Sequence, residues 1–161
     1  MSSDIAPHFL RSFLDLFEEA YSGPPDPSST WFTDNAPRSA LLGTLDGLDD
    51  GQASFVLPGG QSIASHAEHL RWSLVLAQAY LRGEHPQANW EESWRVLAVS
   101  EIEWETLRSD LRHEYEAVRA ALATISDWSN PFFVTGTLAL LPHAAYHLGA
   151  IRQMVRFVSK E

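Results

Sequence analysis

The chain has no cysteine among its 161 residues. Disulfides, thiolate zinc sites, iron–sulfur clusters and a cysteine nucleophile are therefore excluded. Basic residues are scarce: 11 Lys and Arg stand against 21 Asp and Glu, a formal net charge of -10. A surface this acidic repels phosphate backbones and anionic lipid, and no run of Lys or Arg makes a local exception. Neither nucleic acid nor a membrane is expected as a partner. No stretch approaches the length of a membrane span. The start "MSSDIAPHFLRSF" lacks the basic opening and apolar run of a signal peptide. A soluble, cytoplasmic protein is expected. The G-x-S-x-G signature of a serine nucleophile elbow does not occur either. Any nucleophile must then arrive from outside, as water or a small thiol. Convincing period-two strands and internal repeats are also missing.

What is present reads as helix. Hydrophobic residues make up 45% of the chain, enough for one globular domain spanning residues 1–161. "SDIAPHFLRSFLDLFEEAYSG" carries Phe9, Phe13, Leu16, Phe17 and Ala20 at helical spacing, and Gly23 with Pro24 and Pro25 ends it. "APRSALLGTLDGLDD" suggests one short helix. The "SIASHAEHLRWSLVLAQAYLRG" segment is a long helix that starts at a Ser62 cap and stops at Gly83. A polar connector rich in tryptophan, "EHPQANWEESWRVLAV", follows. Ser100 and Glu103 make a capping box for the next helix, whose core stripe is Trp104, Leu107, Leu111, Val118, Leu122 and Ile125. "SDWSNPFF" reads as a loop, and the last helix is expected from about Thr137 to Val158. Four long helices and a short one suggest an all-α, four-helix bundle, a fold that builds sites from side chains facing inward on different helices.

Two histidine pairs stand out. His143 and His147 are four residues apart, hence about 40° apart around a helix and about 6 Å along it. Two imidazoles at that spacing can reach one metal ion. A catalytic site usually adds a third protein ligand and leaves one position open. The Ser62–Gly83 helix offers candidates. Glu68, Arg71, Gln78 and Arg82 mark its polar side; His66 and His69 project to the other, with Ile63, Ser73, Leu76 and Tyr80. On the last helix, Gly149, Gln153, Arg156 and Lys160 mark the outer side, and His143 and His147 lie by Leu140, Ala144 and Ile151. A single inward imidazole is often only a hydrogen-bonded core residue. Two inward pairs are costly to bury without partners, and a shared cation removes that cost. His8, His85 and His113 fall near a terminus, in a loop and on a solvated face.

The segments "TWFTDNAPRSALLGTLDGL", "LPGGQSIASHAEHLRW", "VSEIEWETLRSDL" and "HAAYHLGAIRQM" together resemble the DinB/YfiT-like proteins, metal-dependent four-helix enzymes. In that family a Ser-Ile helix start precedes a His before an apolar residue, here Ser62, Ile63, His69 and Leu70. A His, three residues and then His-x-Gly close its pattern, here His143, Tyr146, His147 and Gly149. The resemblance implies a metal triad of His69, His143 and His147. His66 is an extra inward imidazole, able to replace or supplement His69. Pro142 either starts the last helix late or kinks it.

The same resemblance implies a divalent ion, commonly zinc or nickel, and a homodimer. It also implies a small-molecule substrate and either low-molecular-weight thiol S-transfer or metal-dependent hydrolysis. Trp72, Tyr80 and Tyr146 are the candidate substrate-pocket residues, with Trp31 and Trp104 considered beside them; core packing is the competing role for each. Glu68 faces outward and makes a poor base. The rival expectation is a non-catalytic helical dimer that binds a small ligand and keeps an idle metal site.

Overall fold

The computed structural model describes residues 5–58 and 60–159, and no strand occurs among them. The expected first turn at Ser3 and Asp4 and the outward side of Lys160 lie outside the described residues. Four long helices carry the buried core: α1 (Ile5–Tyr21), α4 (Ile63–Leu81), α5 (Glu101–Ala123) and α6 (Pro131–Val158). Two short helices, α2 (Leu41–Asp46) and α3 (Asp50–Ala53), and a 3-10 turn (Glu92–Trp94) complete the described elements.

Helices α4, α5 and α6 each begin at a side-chain cap. Helix α4 begins at Ser62, whose hydroxyl accepts from Ser65 N while the Ser65 hydroxyl accepts from Ser62 N. Helix α5 begins with the anticipated reciprocal pair, Ser100 and Glu103. Such caps satisfy amides that no helical carbonyl can reach, each worth roughly 1 kcal/mol. At the end of α4, Gly83 takes φ +79, a left-handed turn that ends the helix as expected.

Two boundaries differ from expectation. The last helix begins at Pro131, not near Thr137. Asn130 caps it by accepting from Phe132 N and Phe133 N, and Pro131 sits where a missing N–H costs nothing. Pro142 thus neither starts the helix nor ends it: it lies inside α6, where it leaves the Leu138 carbonyl without its usual partner four residues on. The single short helix is also two. Helix α2 stops at Gly47, and Asp49 starts α3 through a capping box with Gln52. Gly43 is required within α2: a Cβ there would stand 2.7 Å from the Arg38 Cα.

The core follows the stripes. Phe17 and Tyr21 from α1 meet Tyr115 from α5, with Phe13 stacked on Phe17 at 5.7 Å and the Tyr21 and Tyr115 rings stacked at 4.6 Å. Trp104 is core, not pocket: it is buried and its indole N–H donates to the Leu48 carbonyl at 2.9 Å. Burying each such side chain contributes about 1.5–3 kcal/mol. Helix α4 packs chiefly on α5, α6 chiefly on α1, and α6 also meets α4. That last contact, with the 3-10 turn laid against α4, is where the four histidines meet.

Candidate metal centre

His66 and His69 leave α4 toward α6, and His143 and His147 leave α6 toward α4. The His69 Nε2 lies 3.0 Å from His143 Nε2, which lies 3.1 Å from His147 Nε2. One ligand atom from each of His69, His143 and His147 falls within 4.8 Å of the other two. Zinc–nitrogen bonds of about 2.0–2.1 Å in a tetrahedron put neighbouring ligands about 3.3 Å apart, so these spacings suit one small cation. His69 and His147 are buried and His143 is half-buried, which leaves one side open.

The hydrogen bonds set which nitrogen of His69 is bare. The Ser93 hydroxyl donates to the Trp90 carbonyl at 2.7 Å, and a carbonyl can only accept. The Ser93 Oγ, 2.7 Å from His69 Nδ1, therefore accepts from an Nδ1–H. His69 carries its proton on Nδ1 and turns an Nε2 lone pair to the centre. His143 Nε2 has at most one proton and faces two imidazole nitrogens, so the neutral cluster cannot satisfy every contact. A cation accepting three lone pairs resolves that conflict, and the donor set fits a divalent transition metal.

His66 stands apart from the group of His69, His143 and His147 that could hold one ion. Its Nδ1 lies 2.8 Å from His147 Nδ1, on the side of that ring away from His143. It partners the back of His147 much as Ser93 partners the back of His69, the arrangement that orients metal-ligating imidazoles. Trp94 stacks on His69 at 4.1 Å and meets His66 edge-on at 5.3 Å, covering one side of the cluster.

The environment favours the neutral form of all four rings. Burial, with the charges of neighbouring imidazoles behind it, pushes His69 down to about 4 and His147 down to about 3. Burial lowers His66 and His143 as well. Neutral imidazole is the form that ligates a metal.

The remaining sequence candidates are dispersed. Glu68 is held by Arg71 in a two-point pair at 2.7 Å, away from the rings. Tyr80 lines a cavity of about 850 Å³ that reaches His143. Trp72 and Tyr146 do not line it: Trp72 packs edge-on to Trp90, and Tyr146 is 72% exposed, its ring perpendicular to that of His147 with centroids 5.1 Å apart. Trp31 is 79% exposed. His113 is exposed, as its place opposite the α5 stripe indicates. Sequence reasoning missed Ser93, Trp90 and Trp94, all in the connector. The "NWEESW" cluster of two tryptophans around a small hydroxyl residue was the available signal.

The chain is thus an all-helical protein in which two helices bring three imidazole nitrogens to a point where they could hold a metal ion. The family model of the DinB superfamily matches residues 35–154, and the chain belongs to that superfamily. Neither a curated protein nor a solved structure matches it. No described helix is long and apolar enough to cross a membrane.

Proposed function

We propose that the protein is a divalent-metal-dependent enzyme that transfers a low-molecular-weight thiol to an electrophilic small molecule. The observation that carries this reading is the convergence of the His69, His143 and His147 Nε2 atoms beside an open cavity. A bound zinc or nickel ion supplies a Lewis acid that lowers the pKa of a thiol. The three imidazoles would hold the ion, Ser93 and His66 would orient two of them, and Trp94 would keep water from one side. A sulfur–carbon bond then forms as the bond from that carbon to its leaving group breaks, and the thiol proton departs with the leaving group. Hydrolysis is the second reading, favoured by the half-buried His66, a fourth imidazole beside the triad.

The proposal extends to setting and assembly. A reduced thiol pool is a cytoplasmic condition, which supports a cytoplasmic site of action. A homodimer is supported by the outer face of α6, where Leu138, Tyr146 and Phe157 are exposed. Gly149 on that helix has open space where a Cβ would stand, so its flexibility costs stability without relieving any contact within one chain. Light scattering is expected to give twice the monomer mass; a monomer at micromolar concentration would remove the dimer from the account.

The activity test supplies zinc- or nickel-loaded protein with a panel of small thiols and chlorodinitrobenzene, with His147→Ala as control. Thiol consumption lost in the variant supports transfer. Equal consumption by both proteins refutes it. Model-ester hydrolysis lost in the variant supports the second reading, and a metal-loaded protein with neither activity fits a non-catalytic binder.

A further inference from the structure

We infer that the cavity beside His143 binds an uncharged, mostly apolar small molecule: an aromatic or alkyl body carrying one metal-ligating head. The head rests on the metal reading above; the site for the body stands without it.

The cavity, about 850 Å³, lies among the C-terminal part of α4, the segment after α5 and the first turns of α6. That is the size of a site that envelops a drug-sized ligand, roughly 300–1,000 Å³. Leu76, Leu81, Trp90, Ile125, Phe133 and Leu140 supply much of its wall. His143, whose Nε2 faces the other two imidazoles, lines the same space. A molecule filling the cavity thus ends at the open side of the candidate metal centre.

The lining argues against charge on that molecule. No Lys or Arg belongs to it, and its one carboxylate, Asp127, already accepts from Ser129 N at 2.9 Å. The Ser73 and Thr124 hydroxyls donate to the Leu70 and Ala121 carbonyls of their own helices. The basic groups of the wall are only the imidazoles of His85 and His143, so an anionic ligand would lose hydration without meeting a permanent cation, a penalty an apolar body avoids. The walls select chiefly by shape and apolar area, with Tyr80, Asn130 and Thr137 as scattered polar groups, and the metal end supplies the anchor for the head.

Gly136 provides the test. It lines the cavity from within α6, and a Cβ there would meet nothing within 4 Å. Gly136→Trp fills the space while replacing a helix-interior glycine by a better helix former, so the variant is expected to fold. Protein stripped with EDTA is titrated with N-phenylnaphthylamine, a neutral fluorophore, and energy transfer from tryptophan is followed; Trp90 stands in the wall. One site per chain is expected. The sulfonated analogue, anilinonaphthalene sulfonate, should bind about tenfold or more weakly because its charge goes unpaired. Gly136→Trp should weaken the neutral probe at least as much while keeping wild-type zinc affinity.

Octanohydroxamic acid then competes for the site, and added zinc should improve its displacement of the probe about tenfold, one good ligand bond's worth. Absent probe binding, equal binding of the sulfonate, or an unaffected Gly136→Trp overturns the apolar site. Displacement indifferent to zinc, in protein shown by separate titration to bind zinc, overturns the placement of the head. Failure of zinc to bind at all would refute the metal reading and leave the probe results standing on their own.

Discussion

Ser93→Ala is the most informative single substitution near the centre. Ser93 is fully buried in the 3-10 turn, and its hydroxyl links the Trp90 carbonyl to His69. Removing Oγ leaves the His69 Nδ1–H without an acceptor in a ring only 6% exposed. It also releases the constraint that turns the Nε2 lone pair inward. Loss of such a partner typically costs 10–100-fold in metal affinity, about 1.4–2.8 kcal/mol. Competition against a chromophoric zinc chelator reads this directly, and the zinc dissociation constant should rise by that factor. Denaturant unfolding of the metal-free variant should show a smaller loss, about 1 kcal/mol for one hydrogen bond. Zinc affinity within twofold of wild type would refute both the tautomer argument and the role given to Ser93.

Three further outcomes are expected. His66→Ala should weaken zinc binding, while His69→Ala, His143→Ala and His147→Ala should each abolish it; the reverse ranking of His66 and His69 in the same titration would overturn the ligand assignment. Metal-free protein should lose stability as pH falls from about 6.5 to about 3. His69 is lowered to about 4 and His147 to about 3 in the folded state, so the unfolded chain takes up their protons first as pH falls. A urea midpoint that does not fall between pH 7 and pH 5 would contradict this. Glu19→Gln should destabilise by about 2–3 kcal/mol. The buried Glu19 carboxylate accepts from the amides of Trp31, Phe32 and Thr33 and from the Thr33 hydroxyl. Burial alone would raise its pKa, but these donors outweigh burial and hold it below the usual range. Its stabilisation is present above the unfolded pKa near 4.5 and is lost as pH falls further, so the variant should lack that acid slope.

The inward placement of the four histidines was legible because helical projection needs only the period, and α4 and α6 keep theirs. His69, with Ile63 and Ser73, is buried as projected, and His147 with Ala144 and Ile151 likewise. The different surroundings of His66 and His69 were not legible: both project inward, and only tertiary packing sets His66 Nδ1 against His147 Nδ1 and His69 Nε2 against His143 Nε2. Ser93 was hidden because a 3-10 turn within a polar connector has no apolar period to read. The start of α6 was hidden by "SNPFF", whose Asn-Pro suggests a turn and in fact caps a helix. Pro142 drew the expected boundary toward itself, although the helix runs through it. The cavity was only partly legible. Tyr80 lies on its wall, but Trp90 and Ile125 come from segments outside the helices and reach it through tertiary packing.

The central claim is that three imidazoles hold one divalent ion. Protein purified without a histidine tag, exchanged into metal-free buffer and supplied with zinc or nickel, is to be analysed by plasma mass spectrometry against protein concentration. The account predicts about one ion per chain for wild type, as a three-ligand site holds one metal, and none for His147→Ala. Wild-type protein that retains neither metal, or a variant that retains as much as wild type, would contradict it.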